Sequence, residues 1–277
     1  MARLPALDLG GITVQVLRDA QGSFTTFDEA FPNSSGEIEV VGRDRYFDLF
    51  DGDRWLLPFC AFLLRSRAQT VLVDAGIGPG PGEFLPERQG WLPAELGRAG
   101  VAPEDVDLVI LTHLHVDHVG WAAVDGRPFF ARARYAASGV DWRFFADRGD
   151  ETFAAKLAPL KRAGVLALVE LERAEVAPGV ALRPTPGHTP GHISVEIGGE
   201  TRQAFVLGDV AVHPLQLHDP RLAYVYEESA AVAAETRESV LRDVANTDVV
   251  VAAGHFPGGL GRISTGSGGF AWEGIAG

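Results

Sequence analysis

Between Thr112 and Trp121 the chain reads THLHVDHVGW, which sets His113, His115, Asp117 and His118 within one short stretch. Imidazole nitrogens and carboxylate oxygens are the donors that hold a divalent cation. His113 and His115, two apart in extended chain, project to the same side, and Asp117 and His118 follow where the chain turns and can aim back at the same point. One loop does not conveniently complete a metal site, so further donors are expected at other strand ends. They occur as His188 and His192 in RPTPGHTPGH, Asp209 in FVLGDV and His255 in VVVAAGHFP, each after an apolar run. The C-terminal ends of strands are where α/β sheets gather ligand sites. His192, separated from His188 by a Pro-Gly turn, reads as a hydrogen-bonding neighbour of the ligands. His213 and His218, in VAVHPLQLHDP, read as groups that line or orient a pocket.

The elements that must position these residues follow from periodicity. ITVQVLRD, FCAFLLRS, TVLVDAG and DLVILT read as strands, the last apolar enough to be covered on both faces. WLPAELGRAG has helical spacing and a glycine stop. ETFAAKLAPLKRAG predicts a helix broken near Pro159, and ESAAVAAETRESVLRDVANT predicts the longest helix. ALVELE, VALRPTPG, SVEIGG, QAFVLGD and TDVVVAAGH supply further strands. The simplest α/β architecture is a four-layer sandwich, two mixed sheets face to face with helices outside. One domain over residues 1–277 is expected, with residues 20–56, dense in aromatic and turn residues, forming an irregular excursion.

Composition narrows the function. Twenty-four Lys and Arg against 37 Asp and Glu give a formal charge of −13, which repels a nucleic-acid backbone. No stretch has the length and apolarity of a bilayer span, and the start MARLPALDLGGITVQVL lacks the pattern of a signal peptide, so a cytoplasmic location is expected. Cys60 is the only cysteine, so any metal is held by His and carboxylates. The expected partner is a small-molecule substrate. A homodimer is a further expectation, with the excursion packed across a two-fold axis.

The series THLHVDH, PGHTPGH, LGD and AGH resembles the metallo-β-lactamase-fold hydrolases, from about Phe59 to His255. The resemblance implies two metal ions: His113, His115 and His188 on one, Asp117, His118 and His255 on the other, and Asp209 bridging. It gives His192 no ligand role and places Asp74 of VLVDAG behind the metal loop as a brace. The nitrogen and oxygen donors suit Zn²⁺, with Mn²⁺, Fe²⁺ or Co²⁺ as alternatives. Between two ions roughly 3.5–4 Å apart, water has its pKa lowered from 15.7 to about 7, giving a hydroxide beside a polarised electrophile.

Departures from subfamily patterns point to small-molecule hydrolases. Cys60 lies upstream in an apolar strand rather than late in the chain, unlike the cysteine ligand of the best-known β-lactamases. His115 stands where flavodiiron members carry glutamate. Similarity to N-acyl homoserine lactone lactonases implies a tyrosine three residues after the bridging aspartate, and that position is Val212. The segment from Phe205 to Ile263 is more similar to the methyl parathion hydrolase group. The expected activity is hydrolysis of a small ester, lactone or phosphotriester, with Asp117, His213 or His218 as leaving-group acid. The same scaffold leaves open a glutathione thioester hydrolase, a mononuclear iron persulfide dioxygenase or a non-catalytic sensor. Trp121, directly after the metal loop, is expected in the substrate pocket with Val212 and Phe256, joined by Phe31, Phe47, Trp142 and Phe145.

Overall fold

The computed structural model describes residues 4–80, 89–170, 172–266 and 269–275. Ten strands belong to the first half: β1 (Ala6–Asp8), β2 (Ile12–Thr26), β3 (Phe50–Asp51), β4 (Arg54–Ser66), β5 (Thr70–Val73), β6 (Leu108–Ile110), β7 (Ala123–Val124), β8 (Arg127–Pro128), β9 (Arg134–Ser138) and β10 (Leu166–Val169). Apart from the small β7–β8 hairpin they form one sheet in the order β1-β2-β4-β5-β6-β9-β10, with β3 on β4. It is antiparallel up to the β4–β5 pair and parallel from β5 to β10. The second half supplies β11 (Ala174–Ala177), β12 (Val180–Pro184), β13 (Ile193–Gly198), β14 (Gln203–Val206), β15 (Val250–Ala252), β16 (Leu260–Gly266) and β17 (Gly269–Gly274), paired in sequence order. Only β14 and β15 run parallel there, because the helix Ala230–Val244 crosses between them.

Period-2 alternation sends two sets of apolar side chains from each sheet to opposite faces. Val14, Phe62, Val71 and Ile110 of the first sheet meet Leu182, Val195, Val206 and Val250 of the second. The outer face of the first sheet, including Leu63, Leu72 and Val109, is covered by Leu92 and Leu96 of the helix Leu92–Arg98 and by Phe145, Leu157 and Leu160. Phe205 and Val251, on the outer face of the second, lie under Val240, Leu241 and Val244. These are the four layers read from the sequence, and β6, with every residue buried, is covered on both sides as its composition requires. No helix among the described residues is long and apolar enough to cross a membrane.

Residues 20–56 differ from the irregular excursion expected of them. β2 runs on to Thr26 against β4, with Gly22 opposite Leu57 and Thr26 opposite Arg54, and two register shifts bend the pair. At its tip Thr26 caps a short helix, Phe27–Ala30, through a reciprocal box with Glu29, and Ser35 caps the helix Gly36–Arg45. Phe27, Phe31 and Trp55 are buried against the second half of the chain. Each such burial contributes about 1.5–3 kcal/mol. The helix expected to be interrupted or ended near Pro159 runs on through it: a π turn, Phe153–Leu157, leads without a break into the segment Ala158–Arg162, and this widened turn, with the Ala158 N–H on the Phe153 carbonyl, is where the proline is accommodated.

Candidate metal centre

Parallel β5 and β6 deliver the first donors side by side. The chain leaves β5 at Asp74, in the left-handed region at φ 65°, and leaves β6 at Thr112. Asp74 Oδ1 accepts from the Thr112 N–H at 2.8 Å, and its carboxylate also accepts the Thr112 hydroxyl. His115 then begins the single-turn helix Val116–Val119, which swings Asp117 and His118 back toward His113. Gly120 closes this loop against Ile77 and Gly78, where a Cβ would stand 2.1 Å from the Ile77 carbonyl carbon. The turn between β12 and β13 carries His188. Asp209 follows β14 in a tight turn, and His255 follows β15.

The donors converge on Asp209. Its Oδ2 lies 3.2 Å from His188 Nε2 and 3.8 Å from His113 Nε2, while its Oδ1 lies 3.4 Å from both His118 Nε2 and His255 Nε2. Asp117 Oδ2 is 3.5 Å from His118 Nε2 and 3.6 Å from His255 Nε2. His115 Nδ1 and His188 Nε2 approach to 2.9 Å. His113, His115 and His188 form one set with donor atoms within 4.8 Å of one another, and Asp117, His118 and His255 form another. One carboxylate oxygen of Asp209 faces each set.

The partners behind the rings fix which nitrogen faces inward. His118 Nδ1 donates to Asp74 Oδ2 at 2.9 Å and His255 Nδ1 to the Pro58 carbonyl at 2.7 Å, so both leave an Nε2 lone pair for the site. His192 has neither nitrogen to spare. Its Nε2 accepts from the Asp209 N–H at 2.9 Å and its Nδ1 contacts Thr185 Oγ1 at 2.8 Å, and burial holds the ring neutral, with its pKa lowered to about 4. It stands behind Asp209.

The cluster suits a pair of cations. His113 Nε2, His118 Nε2 and Asp209 Oδ1 are buried with no hydrogen-bond partner among the described residues, a state that costs about 1–3 kcal/mol per atom. Metal bonds of about 2.0–2.2 Å in a tetrahedral array put neighbouring donors about 3.3–3.6 Å apart, close to the separations around Asp209. Burial, reinforced by the adjacent imidazoles, keeps His113 and His188 well below the ordinary histidine range, in the neutral form that binds a metal. Burial acts the same way on His118 and His255 but is overcome by Asp209 and Asp117, which lift both rings. The negative charge is thus concentrated beside the Asp117 set.

Above this floor opens a cavity of about 210 Å³. His115, Asp117, His188, Asp209, His255, Val212 and Phe145 line it, but several expected wall residues do not. Trp121 is turned away: its indole N–H donates to Asp19 Oδ1 at 3.1 Å and its ring packs on Phe129. That buried Asp19 also accepts from the Ile77 and Leu92 N–H groups, and burial pushes its carboxyl up to about 6, so Trp121 braces the metal loop from behind. His213 is wholly buried among the rings of Phe27, Phe31, Tyr46, Phe50 and Trp55. His218, at the end of the helix Leu215–His218, lies 3.1 Å from Arg45 Nη1. Phe256 is buried edge-on to Trp272, Trp142 packs on Phe153, Phe31 stays in the core, and Phe47 is 75% exposed.

The wall comes instead from Phe24, Trp55, Tyr224 and Tyr226, with Arg148 and Glu228 at one side in a bidentate pair of 2.6 and 2.8 Å. One signal for this was available: two of the chain's four tyrosines stand in YVY at 224–226. Pairing of Arg148 with Glu228 had none, since the two stand 80 positions apart.

A curated N-acyl homoserine lactonase of Bacillus sp is 31% identical over 169 residues, which cover 55% of this chain and 63% of that protein. The N-acyl homoserine lactonase AiiB of Agrobacterium fabrum is 27% identical over 190 residues, 59% of this chain and 66% of its own length. The aligned region therefore spans just under two thirds of these relatives. Among solved structures, the hydrolase AbOPH in the beta lactamase superfamily superposes with a TM-score of 0.88 at 24% identity, over 100% of this chain and 98% of that one. AidC, a dizinc quorum-quenching lactonase in complex with a product, gives 0.85 at 19% identity, over 99% and 98%. At these identities the two structures establish the fold. The model of the metallo-beta-lactamase superfamily matches residues 61–255, and the chain belongs to that superfamily.

Proposed function

We propose that the protein is a metal-dependent hydrolase that opens the ester ring of a small, largely apolar lactone. The observation that carries this is Asp209, one carboxylate oxygen turned to His113 and His188 and the other to His118 and His255. His113, His115 and His188 would hold one divalent ion, Asp117, His118 and His255 a second, and the nitrogen-rich donor set favours zinc. Such ions supply a water acidified to near neutral pKa and a Lewis-acid contact for an ester oxygen. Water oxygen adds to the acyl carbon, the ring C–O bond breaks, and the departing oxygen gains a proton to become a hydroxyl beside the new carboxylate. Asp117 lines the cavity and is the carboxylate placed to pass that proton. The aromatic wall of Phe24, Trp55 and Phe59 excludes water from an acyl group.

The curated relatives bring the lactone to this reading, and the cavity itself favours a neutral substrate. Among the described residues Arg148 is the one Arg or Lys that lines it, and Glu228 engages it with both carboxylate oxygens, so none of the described lining residues is left to grip the carboxylates of glutathione. Metal analysis should give about two equivalents per chain, and a panel of N-acyl homoserine lactone, aryl ester and phosphotriester should show the lactone turning over fastest. Asp209→Asn should lose on the order of a thousandfold in kcat, the several kcal/mol that Lewis-acid assistance supplies. One tightly held iron per chain, or full activity in Asp209→Asn, would refute the proposal.

A further inference from the structure

We propose that Tyr224 is a catalytic residue whose phenol donates a hydrogen bond to the substrate oxygen that gains negative charge as the ester is cleaved. This rests on the lactone-hydrolase reading and adds a group outside the metal-binding set. Tyr224 is 8% exposed and lines the cavity with Asp117, Asp209 and His255. Its ring lies parallel to that of His188, at 6.1 Å between centroids and 8° between planes, which sets the phenol beside the metal floor. A buried tyrosine hydroxyl ordinarily finds a partner. This one makes no hydrogen bond within the described residues, and it is absent from the polar atoms sealed in the interior, so it opens on the cavity.

The backbone around Tyr224 is fixed on both sides. Ala223 N–H donates to Asn33 Oδ1 at 2.9 Å and Val225 N–H to the Ala30 carbonyl at 2.9 Å, tying the segment to the hairpin tip. From beneath, Arg237 donates to the carbonyls of Val210 and Pro220, both at 2.6 Å. Gln216 reaches the Leu222 carbonyl at 2.9 Å while accepting the Val212 N–H at 2.8 Å. Phe31, Trp55 and Tyr226 hold the ring at centroid distances of 5.6, 5.9 and 5.5 Å. A donor held this firmly does not reorganise as charge develops, which is the condition for electrostatic assistance. The other hydroxyls of the wall are placed differently: Tyr226 is 45% exposed and Thr152 stands directly before the π turn Phe153–Leu157. Val212 offers no hydroxyl at all, and of the two lining tyrosines Tyr224 is the one stacked on a donor ring, that of His188.

Tyr224→Phe keeps the ring and removes the donor. On whichever ester of the panel the parent hydrolyses, its kcat should fall about 10²–10³-fold, the cost of one lost oxyanion donor, with KM changed less than about threefold. Metal content should stay at about two equivalents and the thermal midpoint should hold. Calorimetry supplies a readout that needs no turnover. A cyclic phosphonate ester, which mimics the tetrahedral geometry and its charged oxygen, should bind the variant at least tenfold more weakly than the parent. The matching lactam, an uncleaved ground-state analogue, should bind both alike. Adding Val212→Tyr to Tyr224→Phe tests whether a phenol from the neighbouring wall position restores part of the loss. Unchanged kcat and phosphonate affinity would overturn the role of Tyr224. An equal loss for lactam and phosphonate would also overturn it, by showing a packing residue. A parent that binds the phosphonate but opens no lactone would instead overturn the lactone reading.

Discussion

On the floor of the cavity three of the donor residues are each oriented by one neighbour: Asp74 for His118, the Pro58 carbonyl for His255, His192 for the Asp209 backbone. In the aromatic wall, the Trp55 indole N–H and the Tyr224 hydroxyl make no such hydrogen bond among the described residues. Trp55 and Tyr224 are set by packing on Phe31 and on each other, and the segment behind them is folded over Arg237 and Glu227, a buried ion pair whose arginine also holds the Val210 carbonyl, one residue after Asp209. An error in the floor is therefore local, confined to one ring and its tautomer. An error in the wall spreads, because its members share one core. Two kinds of site thus meet in one cavity, and substitutions on each side should fail in different ways.

The wall offers the largest effect on stability. Arg237 and Glu227 are both almost wholly buried, and burial drives the carboxyl up and the guanidinium down despite their mutual attraction, so each depends on the other. Arg237→Met strands Glu227 and unties the Val210 and Pro220 carbonyls. Its unfolding free energy should drop by about 3–5 kcal/mol in a denaturant titration. Metal stoichiometry of the folded fraction should stay near two. Loss of metal at unchanged stability would break the distinction between wall and floor.

A smaller effect separates two buried histidines that look alike in sequence. His192 has a partner on each nitrogen, whereas among the described residues His213 accepts only the Leu215 N–H at 3.1 Å and has no partner for Nε2 within the aromatic cluster. Burial alone lowers the His213 pKa to about 3. An unfolded histidine takes its proton near 6.5, so between those values the unfolded chain binds more protons and stability falls as pH drops. From pH 6.5 to pH 4 the loss is about 3 kcal/mol. His213→Phe should remove that part of the acid slope, whatever it does to stability at pH 7. Parallel slopes for parent and variant, compared at matched denaturant midpoints, would show the ring to be titrating normally.

The floor was legible in the sequence because its donors lie in short motifs at the ends of apolar strands, where geometry is local. His113 to His118 needed only the step from extended strand to turn, and His188, Asp209 and His255 repeat it. The wall was not legible, for the opposite reason. Trp121 has the right sequence position, but an unanticipated buried carboxylate, Asp19, takes its indole N–H and turns it away. Tyr224 reaches the cavity only because Asn33 and the Ala30 carbonyl pin its neighbours, contacts between segments far apart in the chain. Residues 20–56 do carry local signals: Thr26 with Glu29, and Ser35 ahead of Gly36–Arg45, are helix starts that the density of aromatic and turn residues obscures. Four layers are readable because they depend on periodicity, and strands without a strong alternating pattern, such as β9 and β16, are not.

The smallest effect tests whether the floor's two donor sets are separable. Asp74 touches only one of them, through His118 Nδ1. Asp74→Asn is the informative change, because asparagine tolerates the left-handed backbone at φ 65° and its amide oxygen can still accept the Thr112 N–H. What changes is the atom presented to His118. An amide NH₂ there donates where the carboxylate accepted, so His118 must accept at Nδ1 and carry its proton on Nε2, the nitrogen that faces Asp117 and Asp209. Binding a cation at the Asp117, His118 and His255 set then requires that proton to leave first. Affinity at that set should fall about 10- to 100-fold, as when a ligand loses its supporting partner, while His113, His115 and His188 keep their ion. A competitive chelator titration should resolve one equivalent unchanged and one weakened. Equal weakening of both would mean that Asp209 couples the two sets so tightly that the floor behaves as one unit, as the wall does.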